Sequence, residues 1–132
     1  MSKFNKRLIE PFIIIIIIGI VLISFVNFKG VQVKFYNNTG KDIDSLIIGE
    51  TLIGNLKKGD TTDFIKFKKF RFDSGFPYED LSGTVNGNRI HDLKWSWCAS
   101  ERSYESDGEY IFDIITKEDN EGNTYLHLVK HQ

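Results

Sequence analysis

Between Glu10 and Lys29 the chain reads PFIIIIIIGIVLISFVNF, eighteen residues without a charge. A helix of that length extends about 27 Å at 1.5 Å per residue, close to the ~30 Å hydrocarbon core of a bilayer. A run of isoleucines in a soluble domain would read as a buried strand, but this one is too long and does not alternate. In lipid each backbone group must bond within its own segment, so a helix is the available form despite the β-branched side chains. The sequence therefore predicts a short basic cytoplasmic tail at 1–10, a transmembrane helix at 11–28 and an extracytoplasmic domain at 29–132.

A removed signal peptide would need small residues after the apolar run. Here Phe25, Val26 and Phe28 stand in their place, and no cysteine follows to carry a lipid. The expectation is a retained, single-pass signal-anchor. Lys3, Lys6 and Arg7 precede the run, whereas Lys29 and Lys34 follow it. That bias places the N-terminal side in the cytoplasm and the C-terminal domain in the periplasm or outside the cell.

The averages conceal this division. The 132 residues carry 17 Lys/Arg and 18 Asp/Glu, a net charge of −1. Residues 1–29 hold four basic residues and one acidic (+3), leaving 13 basic and 17 acidic (−4) in residues 30–132. Near-neutral balance argues against a dedicated nucleic-acid binder. A single cysteine excludes an intrachain disulfide and any zinc site built on several cysteines.

Residues 30–132 read as short strands between turns. Val31, Val33 and Phe35 alternate with polar neighbours, and Asn37–Asp42 breaks the chain. Ile43–Ile48 and Thr51–Ile53 follow, with a turn over Asn55–Asp60. Ile65 and Phe67 share one face, and Phe70 and Phe72 join it only if an extra residue intervenes at Lys68–Lys69, as a β-bulge or a strand break. Ser74–Tyr78 reads as a loop. Asn86-Gly87 marks a hairpin between Leu81–Val85 and the segment from Arg89. Leu93, Trp95 and Trp97 line one face of a further strand, followed by a long polar loop over Ala99–Glu109. Tyr110–Ile115 is apolar on both faces and so predicts a central strand. Lys117–Asn123 turns into a last strand, Thr124–Lys130.

The fold class expected is mostly β: seven or eight strands in a small antiparallel β-sandwich, Ig-like or transthyretin-like, behind an N-terminal transmembrane helix. A small closed barrel is the alternative. The lack of a Cys…Trp…Cys spacing excludes a true immunoglobulin domain.

Four segments carry a resemblance: Asn37-Asn38-Thr39-Gly40-Lys41-Asp42-Ile43-Asp44-Ser45, Leu56-Lys57-Lys58-Gly59-Asp60, Phe72-Asp73-Ser74-Gly75-Phe76-Pro77-Tyr78 and Gly108-Glu109-Tyr110-Ile111-Phe112. On these the chain resembles small uncharacterised bacterial single-pass membrane proteins with an N-terminal anchor and a β-rich outer domain. The resemblance implies an architecture and attaches no activity to any residue.

The sequence offers little for chemistry. His91, His127 and a carboxylate would form a metal site only if the fold brought them together. Asp119-Asn120-Glu121-Gly122-Asn123 looks like part of a calcium loop, but Lys117 falls on the first ligand position and no glutamate closes the loop. A Cys98–His pair would need the fold to bring them together, but Cys98 follows Trp97 on a strand as a packed thiol does, and an odd cysteine outside the cytoplasm raises pairing between chains. Asn37-Asn38-Thr39 matches a glycosylation acceptor. No catalytic, cofactor-binding or metal residue is assigned, no cofactor is expected, and the chain is read as a non-enzyme.

Contact residues are better supported. Lys66, Lys68, Lys69 and Arg71 interleave with Phe67, Phe70 and Phe72, which suits either an anionic surface or an edge strand blunted by lysines. Phe76, Tyr78 and Tyr104 lie in loops that a rigid β domain would present. The expected partners are the lipid bilayer through 11–28 and another protein, such as an envelope-complex component or a toxin met by an immunity-type protein. No nucleic acid is expected. A small anchored hydrolase or metal-dependent enzyme, and a lipid- or wall-contacting structural domain, are the alternatives.

Overall fold

Turn chemistry sets the strand boundaries in the computed structural model, which describes residues 3–26, 29–93 and 101–132, with side chains of the helix given for 10–24. One helix, α1 (Lys3–Val26), precedes eleven strands among those residues: β1 (Val31–Asn37), β2 (Ile43–Ile48), β3 (Thr51–Leu56), β4 (Ile65–Phe67), β5 (Phe70–Asp73), β6 (Phe76–Pro77), β7 (Leu81–Val85), β8 (Asn88–His91), β9 (Arg102–Glu105), β10 (Glu109–Glu118) and β11 (Thr124–Lys130). The predicted hairpin forms at Asn86 and Gly87, whose φ angles of 50° and 78° are those of a type I′ turn.

Two four-stranded sheets enclose one core. The first runs β11-β10-β1-β4 and the second β3-β2-β7-β8. Alternate residues of the first, Val31, Val33 and Phe35 on β1, Phe112 and Ile114 on β10 and Leu126 and Leu128 on β11, are buried. They join Ile43, Leu46, Ile48, Leu56, Leu81 and Val85 of the second in a single cluster. The sheets approach closely at Gly83: a Cβ there would lie 2.6 Å from Ile43 Cγ2 and 3.6 Å from Leu126 Cδ1 of the opposite sheet. Side chains from both sheets thus fill one space, which is the packing of a sandwich.

The structure corrects several expectations. β1 and β10 pair in parallel, Gln32 opposite Glu109 through Asn37 opposite Ile114, so the first sheet is mixed rather than wholly antiparallel. α1 runs from Lys3 with Pro11 in its interior, so residues 3–10 are helical. Asn55 and Leu56 belong to β3, leaving a shorter turn at 57–60. The Ser74–Tyr78 loop contains the two-residue β6, and the polar loop contains β9. Polar sequence concealed β9 because its residues are mostly exposed; backbone pairing with β5, not burial, holds it. The strand expected around Trp95 and Trp97, together with Cys98, falls at 94–100, outside the described residues.

The predicted interruption at Lys68–Lys69 is a strand break. β4 ends at Phe67 as the edge of the first sheet, and β5 starts a third sheet of order β6-β5-β9. The break keeps Phe67, Phe70 and Phe72 all buried. The rings carry the third sheet on the first: Phe70 stacks on Phe112 at 5.4 Å, and Phe72 lies 5.0 Å from Tyr110. Tyr110–Ile115 lies centrally, as its two apolar faces predicted, between β1 and β11.

One buried polar residue ties one end of the sandwich. Asn37 is 1% exposed, and its Nδ2 donates to the carbonyls of Lys41, Leu56 and Lys57 at 2.8–3.0 Å. Its Oδ1 accepts from the Thr39 amide and hydroxyl. The Nδ2 that the acceptor motif would offer to a glycan is thus engaged by backbone carbonyls.

Candidate functional site

The two ends of the sandwich differ. β1 ends at Asn37, whose side chain bonds to Leu56 at the end of β3. Pairing then places the turns at 38–42, 57–60, 86–87 and 119–123 at that same end. At the opposite end lie Gly30 and the start of β1, the Gly49–Glu50 turn, the Lys68–Lys69 break and the third sheet. Gly30 sits tightly there, with φ 63° and its Cα so placed that a Cβ would lie 2.8 Å from the Phe67 carbonyl oxygen.

All seven sequence-predicted contact residues fall at this second end. Lys66 is on β4, opposite Gln32. Lys68 and Lys69 are exposed at the break. In the third sheet Arg71 opposes Tyr104, and Asp73 opposes both Arg102 and Phe76. Directly opposed residues share a face, so these form the outer face while Phe70 and Phe72 form the inner one. Phe76 is 67% exposed and Tyr104 62%.

Cations line the rings of this face. Lys69 Nζ lies 5.9 Å from the Tyr104 ring centre, and Lys130 Nζ 6.0 Å from that of Phe76. Arg71 and Arg102 lie 5.5 and 5.3 Å from the Tyr78 ring, the range of cation–π attraction.

Arg71 does not belong to an open cationic strip. Its guanidinium donates from Nε to the Tyr78 carbonyl at 3.0 Å and from Nη2 to Asp80 Oδ1 at 3.2 Å, and it faces Glu79 Oε2 at 3.6 Å. Its backbone amide donates to Glu79 Oε1 at 2.7 Å. Arg71 thereby fastens the 78–80 segment to β5, a role alternation alone could not reveal because its partners lie seven to nine positions onward. Between this group and the Gly49–Thr51 turn lies a surface cavity of about 440 Å³, lined also by Lys68, Lys69 and Tyr104. Its cations and carboxylates roughly balance, so it does not select strongly for one charge.

Asp119 closes a turn at the first end. Asp119 Oδ1 accepts from the amides of Glu121 and Asn123, and Oδ2 from Asn123 Nδ2 and the Tyr125 hydroxyl, all at 2.8–2.9 Å. These donors, those of Asn123 first, hold the carboxyl down at about 2. Its lone pairs are engaged in closing a hairpin turn, in agreement with the polar-turn reading of 117–123 rather than a calcium loop. On the outer face of the first sheet, burial lowers the His127 pKa, helped by Lys117. Burial raises that of Asp92, against opposing backbone hydrogen bonds. His131 Nδ1 lies 2.7 Å from Asp113 Oδ1 and stacks on Tyr36 at 4.3 Å. Among the described residues no group of three or more His, Cys, Asp or Glu is placed to hold a metal.

Large apolar side chains of α1 from Phe12 to Ile23 are 49–67% exposed. Among the described residues, no helix is long and apolar enough to cross a membrane, the side chains described within α1 being those of 10–24. No family model, curated protein or solved structure matches the chain.

Proposed function

We propose that the chain is a membrane-anchored, non-enzymatic binding module that holds a β-sandwich outside the cytoplasm to meet a protein partner. One observation carries the anchoring: from Phe12 to Ile23 α1 is apolar all round, and its large side chains there are uncovered. A helix apolar on every side needs an apolar environment on every side. Within α1, residues 11–26 are uncharged and extend about 24 Å at 1.5 Å per residue. Ser24 Oγ bonds back to the Ile20 carbonyl at 2.9 Å, as a hydroxyl in lipid must find a partner within its own helix.

The sandwich is read as transthyretin-like rather than Ig-like. Its eight main strands, lettered a–h along the chain, run d-a-g-h and c-b-e-f. An immunoglobulin constant domain runs ABED and CFG. A rigid two-sheet scaffold with four turns gathered at one end suits recognition by loops. A domain of this size can offer the roughly 800 Å² that a standard protein interface buries on each side. The test is gentle crosslinking of the full-length protein in native membranes, detergent extraction and mass spectrometry. A specific protein crosslinked through the 38–42, 57–60, 86–87 or 119–123 turns is the expected result; recovery of the uncrosslinked chain alone overturns the reading.

A further inference from the structure

We propose that the outer face of the third sheet, β6-β5-β9, rests on the phospholipid headgroups of the bilayer from which α1 emerges. The inference depends on the anchored reading above and adds the surface that touches lipid. Chain length supplies the first argument. Only five residue steps separate Val26, the last residue of α1, from Val31, the first of β1. A fully extended chain covers at most 3.3–3.6 Å per residue, so that link reaches no more than about 18 Å. The headgroup layer fills roughly 5–8 Å of this on one side of the bilayer. The end of the sandwich where β1 starts is thus held against the membrane, and the third sheet is at that end.

The second argument is the chemistry of the face. Phe76 and Tyr104 project from it, 67% and 62% exposed, and Tyr78 is half-buried between two guanidinium groups. Aromatic rings with one apolar side and one wet edge collect at the headgroup level of membranes. Lys69 and Lys130 lie within 6.0 Å of the Tyr104 and Phe76 rings, so ring and ammonium are offered together to an acyl–phosphate boundary. Lys29 and Lys68 are exposed on the same rim. Lysines beside a bilayer surface are drawn to anionic headgroups. Of the carboxylates that oppose this, Glu79 and Asp80 face Arg71, and Asp73 lies on the face opposite Arg102. The described turns at the opposite end, 38–42, 57–60, 86–87 and 119–123, are polar, and the Lys34 contacts with Tyr36 and Phe64 lie on the outer face of the first sheet.

The experiment uses the full-length protein in native membranes, with the photoreactive amino acid p-benzoylphenylalanine placed singly at Phe76, Tyr104 or, as the distal control, Lys41. After irradiation, mass spectrometry reads the adduct. Phospholipid adducts at positions 76 and 104, absent at 41, are expected. Protein adducts at 76 and 104, or lipid adducts no more frequent there than at 41, overturn the inference. Alkaline carbonate extraction separates the two readings. If the chain remains in the pellet but 76 and 104 take no lipid, only the headgroup contact fails. If carbonate releases the chain, the anchor fails and the contact with it.

Discussion

At the scale of single residues, the side chains that matter most bond to backbone. Asn37 satisfies three carbonyls from two stretches of chain, and Asp119 gathers two amides, an amide side chain and a phenol. The carboxyl of Asp119 titrates at about 2 against an ordinary 3.8. A depressed folded pKa means stability present above the unfolded value and lost as pH falls through the folded one. Asp119→Asn is therefore expected to lower the melting temperature by a constant amount above about pH 4, a gap that closes between about pH 4 and pH 2. Thermal melts of both proteins across that range check it; a gap independent of pH would mean that the carboxylate is not what holds the turn. The sequence showed Asp119 in a turn, but not its fourth partner, Tyr125, which reaches it only because β11 folds back.

At the scale of elements, the third sheet is the part least legible beforehand. Period-two alternation required a discontinuity at Lys68–Lys69, since Phe67 and Phe70 would otherwise face opposite ways. It could not say that the chain changes sheets there, because a bulge and a break restore parity equally well. The rings decided it: Phe70 and Phe72 pack on Phe112 and Tyr110, drawing β5 away from the first sheet while keeping it on the common core. Phe70 is fully buried, so Phe70→Ala is expected to cost about 3–5 kcal/mol. Urea unfolding of the detergent-solubilised full-length protein measures this. Hydrogen exchange should show protection lost together over 70–73 and 102–105, because β9 is held through β5. A loss confined to 70–73 would mean that β9 has other support.

At the scale of the whole molecule, near-neutral charge and moderate composition are the sum of a cationic apolar helix and an acidic β domain. If α1 spans with residues 29–132 outside, protease added to spheroplasts expressing the protein removes that domain; full protection would reverse the orientation. The chain's order in space follows from one parallel contact, β1 with β10, which links the first strand to one of the last and puts residue 30 and the third sheet at the same end.

The sequence by itself determined what depends on near neighbours. The helix at the isoleucine run, the Asn86-Gly87 hairpin, the central strand around Phe112 and the need for a discontinuity after Phe67 are each written in a few consecutive residues. Periodicity and turn preference act over that distance. The tertiary structure alone decided the parallel β1–β10 pair, the capture of polar β9 by β5, the closure of Arg71 by Glu79 and Asp80, and the gathering at one end of the seven residues the sequence singled out for contact. Those outcomes depend on which distant segments share a core, and burial is a property of the assembled chain that no local pattern contains.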